Sequence, residues 1–278
     1  MKQSRARRTF AGVLAGVLAG GAAAVTLVPG ADAAGEGARA YGLTANGTLV
    51  SFDVRRPGQA KPLGKVKGLD GQTLVGIDVR PANGALYGVG RRGGLFTINP
   101  ETARARKVAT LDVALSGQSF GIDVNPAADA LRIVSNTGQN LRHVFAGNVT
   151  TADATLNVPD TTPRVRGIVG AAYTNNDKDD VTGTALFDLN AASDSIALQV
   201  PANAGTITNQ GPLGRRTSAR AGFDILSDKR RGKAVANTGY ATLGGKEGYA
   251  LYAVDLTSGR ARLVGEFDQL VVDIAVVH

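Results

Sequence analysis

A four-residue phrase, Gly-[Ile/Phe]-Asp-[Val/Ile], recurs along the chain and limits what it can fold into. It stands as Gly76-Ile77-Asp78-Val79, Gly121-Ile122-Asp123-Val124 and Gly222-Phe223-Asp224-Ile225, and a degenerate copy, Val272-Asp273-Ile274-Ala275, lies near the C-terminus. The first two copies are 45 residues apart. Repeats of this length built from short strands are the blades of a β-propeller. After Gly76-Ile77-Asp78-Val79 come Ala85–Val89, Leu95–Ile98 and Lys107–Leu111, apolar runs of strand length bounded by Gly, Pro and Asn. Sustained 3.6-residue periodicity is absent after residue 33, so helix is expected to be nearly missing.

Register supports duplication. Leu86 lies ten residues after Gly76 and Leu131 ten after Gly121, while Asn136 and Asn237 each lie fifteen after their motif glycine and are expected to open Asn-Thr-Gly turns. The fourth unit departs: Gly170-Ala171-Ala172-Tyr173 replaces the motif, and an acidic insertion, residues 175–180, lengthens its first hairpin loop. Residues 40–66 hold three strands without a first one, and Leu270–Val277 is a first strand without followers. Pairing them closes a ring and leaves no long free edge. The expected fold is all-β: a five-bladed propeller of four-stranded antiparallel blades, closed by the C-terminal strand on the N-terminal blade.

Residues 1–33 read as a cleaved signal peptide: Lys2, Arg5, Arg7 and Arg8, an uncharged run from Phe10 to Val28, and an Ala-x-Ala end at Ala31–Ala33. An uncleaved anchor is the alternative, weakened by Gly12, Gly16, Gly20 and Gly21. Arg7-Arg8-Thr9-Phe10 also fits a twin-arginine signal. The expectation is a secreted protein cleaved near Ala33, with no membrane span thereafter, a short linker at 34–39 and one domain at 40–278. Removal of 1–33 lowers the formal charge from +8 to +5. The basic residues fall in pairs on turns (Arg55-Arg56, Arg91-Arg92, Arg215-Arg216, Lys229-Arg230-Arg231) and aromatics make up 5% of the chain, so nucleic acid is not an expected partner. The pairs read as a solvated surface or as an attraction for anionic wall polymers or lipid headgroups. There is no cysteine, which removes disulfides, thiol chemistry and cysteine–zinc sites.

Tyr41-Gly42-Leu43-Thr44, the repeated Gly-Ile-Asp-Val, Ala171-Ala172-Tyr173-Thr174-Asn175-Asn176-Asp177 and Pro201–Thr206 together resemble the bacterial exported domain of unknown function 4394. The resemblance spans about residues 40–278 and implies an extracytoplasmic, propeller-like domain. It transfers no catalytic residue.

Three constellations could carry chemistry. Asp78, Asp123, Asp224 and Asp273 are expected at equivalent places on the inner strands, where clustered carboxylates would raise one another's pKa and serve as general acids or cation ligands; alternatively each ties its blade to a neighbour. Asn175, Asp177 and Asp179 alternate like the oxygen ligands of a calcium loop, but Asp180 stands where the motif wants Gly and no Glu follows at position twelve. A solvated acidic hairpin tip is the other reading. Glycoside hydrolysis needs two carboxylates about a bond; beyond the aspartates, only Glu36, Glu101, Glu247 and Glu266 remain, and there is no tryptophan. The two histidines, His143 and His278, cannot make a three-histidine metal site, and the sequence places neither beside a serine or aspartate. The sequence therefore points to a monomeric, exported, non-enzymatic module that binds a ligand or an envelope component without a cofactor, calcium aside. A hydrolase using the channel aspartates is the alternative.

Overall fold

A computed structural model describes residues 37–159, 165–177, 179, 181–245 and 248–278. The signal-peptide reading for 1–33 lies outside the described residues, as do Glu36, Asp180 and Glu247.

Among the described residues, twenty strands follow one another with only two 3-10 turns, Pro57–Gln59 and Ala202–Ala204, between them. The first three, β1 (Arg39–Thr44), β2 (Thr48–Asp53) and β3 (Lys61–Lys65), belong to blade 1. Blade 2 is β4 (Leu74–Val79), β5 (Leu86–Gly90), β6 (Gly94–Asn99) and β7 (Arg104–Thr110). Blade 3 is β8 (Phe120–Asn125), β9 (Ala130–Ser135), β10 (Asn140–Val144) and β11 (Val149–Ala152). Blade 4 is β12 (Ile168–Tyr173), β13 (Leu186–Asn190), β14 (Ser195–Gln199) and β15 (Ile207–Pro212). Blade 5 is β16 (Phe223–Arg230), β17 (Lys233–Gly245), β18 (Gly248–Val254) and β19 (Ala261–Phe267). The last strand, β20 (Val271–Val276), pairs antiparallel with β1 and completes blade 1. The ring closes as expected from the sequence: the N-terminal blade lends its edge to the C-terminal strand.

Apolar clusters fill the spaces between neighbouring blades: Phe187, Leu189, Phe223 and Ile225 between blades 4 and 5; Val89, Leu95, Ile122 and Leu131 between 2 and 3; Phe52, Ile274 and Leu251 between 5 and 1; Leu43, Leu49, Ile77 and Val79 between 1 and 2; Val134, Ile168 and Leu186 between 3 and 4. Strands near the axis such as β5 and β12 are buried throughout, while the outer strand β7 is exposed or half-buried along its length.

The motif glycine serves the convergence of the inner strands. A Cβ on Gly121 would stand 2.3 Å from the Gly170 carbonyl carbon, and one on Gly222 would stand 2.5 Å from Asp273 Cα. Both obstacles are backbone of the next blade and cannot yield.

Two register expectations are corrected. Asn136 does lie in a turn, but Asn237 sits inside β17 opposite Ser227. The long β16–β17 hairpin moves the partner of Asp224 out to Tyr240, so the shared fifteen-residue offset is a coincidence of length. The C-terminal copy of the motif is also phased differently. Asp78 faces Tyr87 and Ile77 faces Gly88; in blade 1, Ala275 faces Tyr41 and Ile274 faces Gly42. The motif there reads Asp273-Ile274-Ala275-Val276. Asp273 holds the glycine place, and Ala275, like Ala172 in blade 4, holds the aspartate place.

Candidate functional site: a carboxylate cluster on the ring axis

Inner strands of a propeller have one unpaired edge, and its N–H groups point toward the axis where little water reaches them. Buried N–H groups require acceptors. At the fourth motif position these donors are Val79, Val124, Tyr173, Ile225 and Val276, and three carboxylates accept all five. Asp78 takes the Val124 N–H of the next blade at 2.7 Å and its own neighbour Val79 at 2.7 Å. Asp123 takes Tyr173 at 2.8 Å. Asp224 takes Val276 across the ring closure at 2.5 Å and its own neighbour Ile225 at 2.6 Å. The pattern follows from the two alanines. Where the preceding blade carries Ala275 or Ala172, no carboxylate arrives from behind, and the aspartate's second oxygen covers its own strand instead. Asp273, one pleat away, accepts Ile77 of blade 2 at 2.8 Å, in room left by Gly76.

Asp78, Asp123 and Asp224 are 3%, 3% and 1% exposed. One oxygen from each lies within 4.8 Å of the others. Burial pushes Asp78 up to about 7 and Asp273 up to about 8, against the pull of their N–H partners. Burial, with the Asp78 charge beside them, raises Asp123 and Asp224 well above the carboxylate range. The structure thus brings three of the four sequence candidates to one point and sets Asp273 beside it. Chemically the cluster can hold shared protons. Three oxygens at this spacing could also ligate a cation, but it would compete with five N–H dipoles whose positive ends face the same oxygens.

Blade 4 lacks an axial aspartate, and its inserted loop makes the tie to blade 5 instead. Asn175 N–H donates to Asn237 Oδ1 at 3.0 Å, and Asn237 Nδ2 returns a bond to Asn175 Oδ1 at 2.8 Å. Asn176 donates to Ser227 Oγ through its backbone and to the Ile225 carbonyl through its amide. Asp177 accepts Ala234 N–H with one oxygen and Asp179 N–H with the other. Asp179 accepts Val181 N–H and pairs with Lys233 at 3.0 Å. The side-chain oxygens of Asn175, Asp177 and Asp179 therefore all have protein donors. Asn175 and Asn176, where the loop begins, are buried, while Val181 near its end is exposed.

One buried group escaped sequence reasoning. Arg132 is 2% exposed and occupies the place, opposite the motif aspartate, that Tyr41, Tyr87 and Tyr240 hold in other blades. It pairs with Asp153 at 2.8 Å and donates to Asn140, Asn203 and Tyr173. Nine residues separate Asp78 from Tyr87 and Asp123 from Arg132, so extending the register would have flagged an arginine in a buried column. Asp188, on the blade 4 face toward blade 3, is fully buried and neither oxygen has a hydrogen-bond partner among the described residues; burial pushes it up to about 8. His143 packs in the core, its Nδ1 3.0 Å from Thr150 Oγ1 and its ring edge-on to Phe145.

These features define the class: a five-bladed β-propeller whose axis is closed by its own carboxylates. The chain belongs to the family described as Domain of unknown function (DUF4394), whose model matches residues 48–275. No curated protein matches the chain. Among solved structures, it is similar to a structural-genomics protein of unknown function from Bacteroides thetaiotaomicron, at 14% identity and a TM-score of 0.51, covering 89% of this chain and 66% of that one. An auxiliary nutrient binding protein from Bacteroides ovatus aligns at 14% identity and a TM-score of 0.43, covering 80% of this chain and 57% of that one. The chain spans less than two thirds of the length of either.

Proposed function

We propose that this protein is an exported, non-enzymatic binding module. The propeller is the scaffold, loops at the ends of the ring meet a ligand or envelope component, and the axial aspartates serve the fold. The observation that carries this reading is the use of the carboxylates: Asp78, Asp123 and Asp224 are buried and accept the five backbone N–H groups around the axis. A glycosidase needs two carboxyl groups that a sugar can reach from opposite sides, and groups so enclosed offer no such approach. Repetition agrees, since equivalent residues in several blades suit a structural role better than a site needing distinct groups.

The test is the pair Asp78→Asn and Asp123→Asn, alone and combined. An amide keeps the shape but can turn a donor toward an N–H. Each single variant should lower stability by about 1–3 kcal/mol, read from chemical denaturation, with no change on a panel of glycan substrates. Glycan hydrolysis by the wild-type chain that disappears in the variants while their fold persists would establish the hydrolase reading instead.

A further inference from the structure

Of the paired basic residues, Arg56 of Arg55-Arg56 lines a cleft. In blade 1, Arg39 stands opposite Asp53 and Ser51 opposite Lys61. Directly opposed residues in antiparallel strands share a face, so these four side chains rise together at one end of the sheet. The chain then turns through Pro57–Gln59 and carries Arg56 and Gln59 over them. The result is a cleft of about 260 Å³ lined by Arg39, Ser51, Asp53, Arg56, Gln59 and Lys61.

The donor balance of this cleft is one-sided. Its one carboxylate, Asp53, is engaged by Arg55, accepting the backbone N–H at 2.8 Å and the guanidinium at 3.4 Å. Among the described residues the side chains of Arg39, Arg56 and Lys61 make no hydrogen bond or salt bridge, and the Arg56 charge acts on Asp53 from a distance. Three cations facing one small concavity against one carboxylate leave an excess of positive charge, which a bound anion offsets. Guanidinium groups present parallel N–H donors that match a multi-oxygen anion, while Lys61, Gln59 and Ser51 add further donors.

We propose that this cleft binds a phosphate-class oxyanion, either a phosphate monoester or free phosphate, or the phosphodiester of a polymer or headgroup. Three cations in so small a volume favour a multiply charged, multi-oxygen group over a simple carboxylate. The inference gives the binding reading above a site and a ligand class, and rests on it for purpose, not for geometry. A cleft with no anion affinity leaves that reading standing with another surface. Hydrolysis dependent on Asp78 and Asp123 overturns that reading and leaves the cleft's affinity in place.

The experiment is titration of the whole chain, at constant ionic strength, with inorganic phosphate, dimethyl phosphate and acetate, followed by calorimetry or NMR. Phosphate should saturate one site, and Arg56→Gln or Lys61→Gln should each weaken it about tenfold. Lys107→Gln, an exposed cation on β7 away from the cleft, should leave it unchanged. Dimethyl phosphate binding as tightly as phosphate assigns a diester; binding of phosphate alone assigns the monoester or free anion. Acetate binding as tightly as phosphate, equal weakening by Lys107→Gln, or saturation by neither phosphate species overturns the proposal. Circular dichroism and melting of each variant separate a lost site from a lost fold.

Discussion

Asp188 concentrates the energetics of the buried carboxyl groups. It lies between Ala171 and Ala197 on its sheet face, with no donor on either oxygen among the described residues, and burial raises its pKa from 3.8 to about 8. Asp78 and Asp273 are raised by the same cause. A group held above its unfolded value keeps a proton in the folded state that the unfolded chain has released, so stability falls as pH rises from about 4 to about 8. His278 runs the other way. Burial lowers it from 6.5 to about 3, so its contribution rises between those values and is constant above 6.5. Groups held low, such as Asp179 beside Lys233, act only below the ordinary carboxylate range. The interval from pH 6.5 to 9 therefore isolates the raised carboxyls. The melting temperature should fall across it, and Asp188→Asn should fall less and exceed wild type at pH 9. Parallel pH curves for the two proteins would refute the account.

The inserted loop of blade 4 shows how one element substitutes for another. The aspartate ties run from blade to blade except between blades 4 and 5, and there residues 175–179 reach over to Asn237, Ser227 and Ala234. Asn237→Ala removes both bonds of the reciprocal amide pair and leaves Asn175 groups unpaired at a buried site. The expected loss is about 1–3 kcal/mol in urea denaturation, larger than for a substitution at an exposed loop position. Because the loop's oxygens already have protein donors, a chelator should leave the melting temperature unchanged. A chelator-induced drop restored by calcium would revive the ligand role of Asn175, Asp177 and Asp179.

At the scale of the whole molecule, stability depends on closure. β20 supplies the inner strand of blade 1, the Val276 N–H that Asp224 accepts, and the Asp273 carboxylate that accepts Ile77. A chain ending before Val271 leaves β1 as an open inner edge and removes two of the interblade ties at once. Open edges recruit other strands. Such a truncation should lose cooperative unfolding and elute as oligomers in size-exclusion chromatography, whereas a cooperative monomer would contradict the closure argument.

Much of this architecture was legible in the residues. The 45-residue spacing of the motif, the matched Leu86 and Leu131, and the unfinished ends at 40–66 and 270–277 were enough to give five blades and the closing pair. What went astray lay in strand register: the place of Asn237 depends on a hairpin length that a motif offset does not report, and the phase of Asp273 on how the last strand pairs with the first. The register offset could have flagged Arg132 as buried, but its partners Asp153, Asn203 and Tyr173 appear only in the fold. By itself the sequence determined alternation, strand length and repeat number, because these follow from local patterning of side chains and turns. Tertiary structure alone decided what the aspartates do. Their partners Val124, Tyr173 and Val276 lie 46, 50 and 52 residues away, and become neighbours only when five inner strands converge on one axis and present five N–H groups that need acceptors.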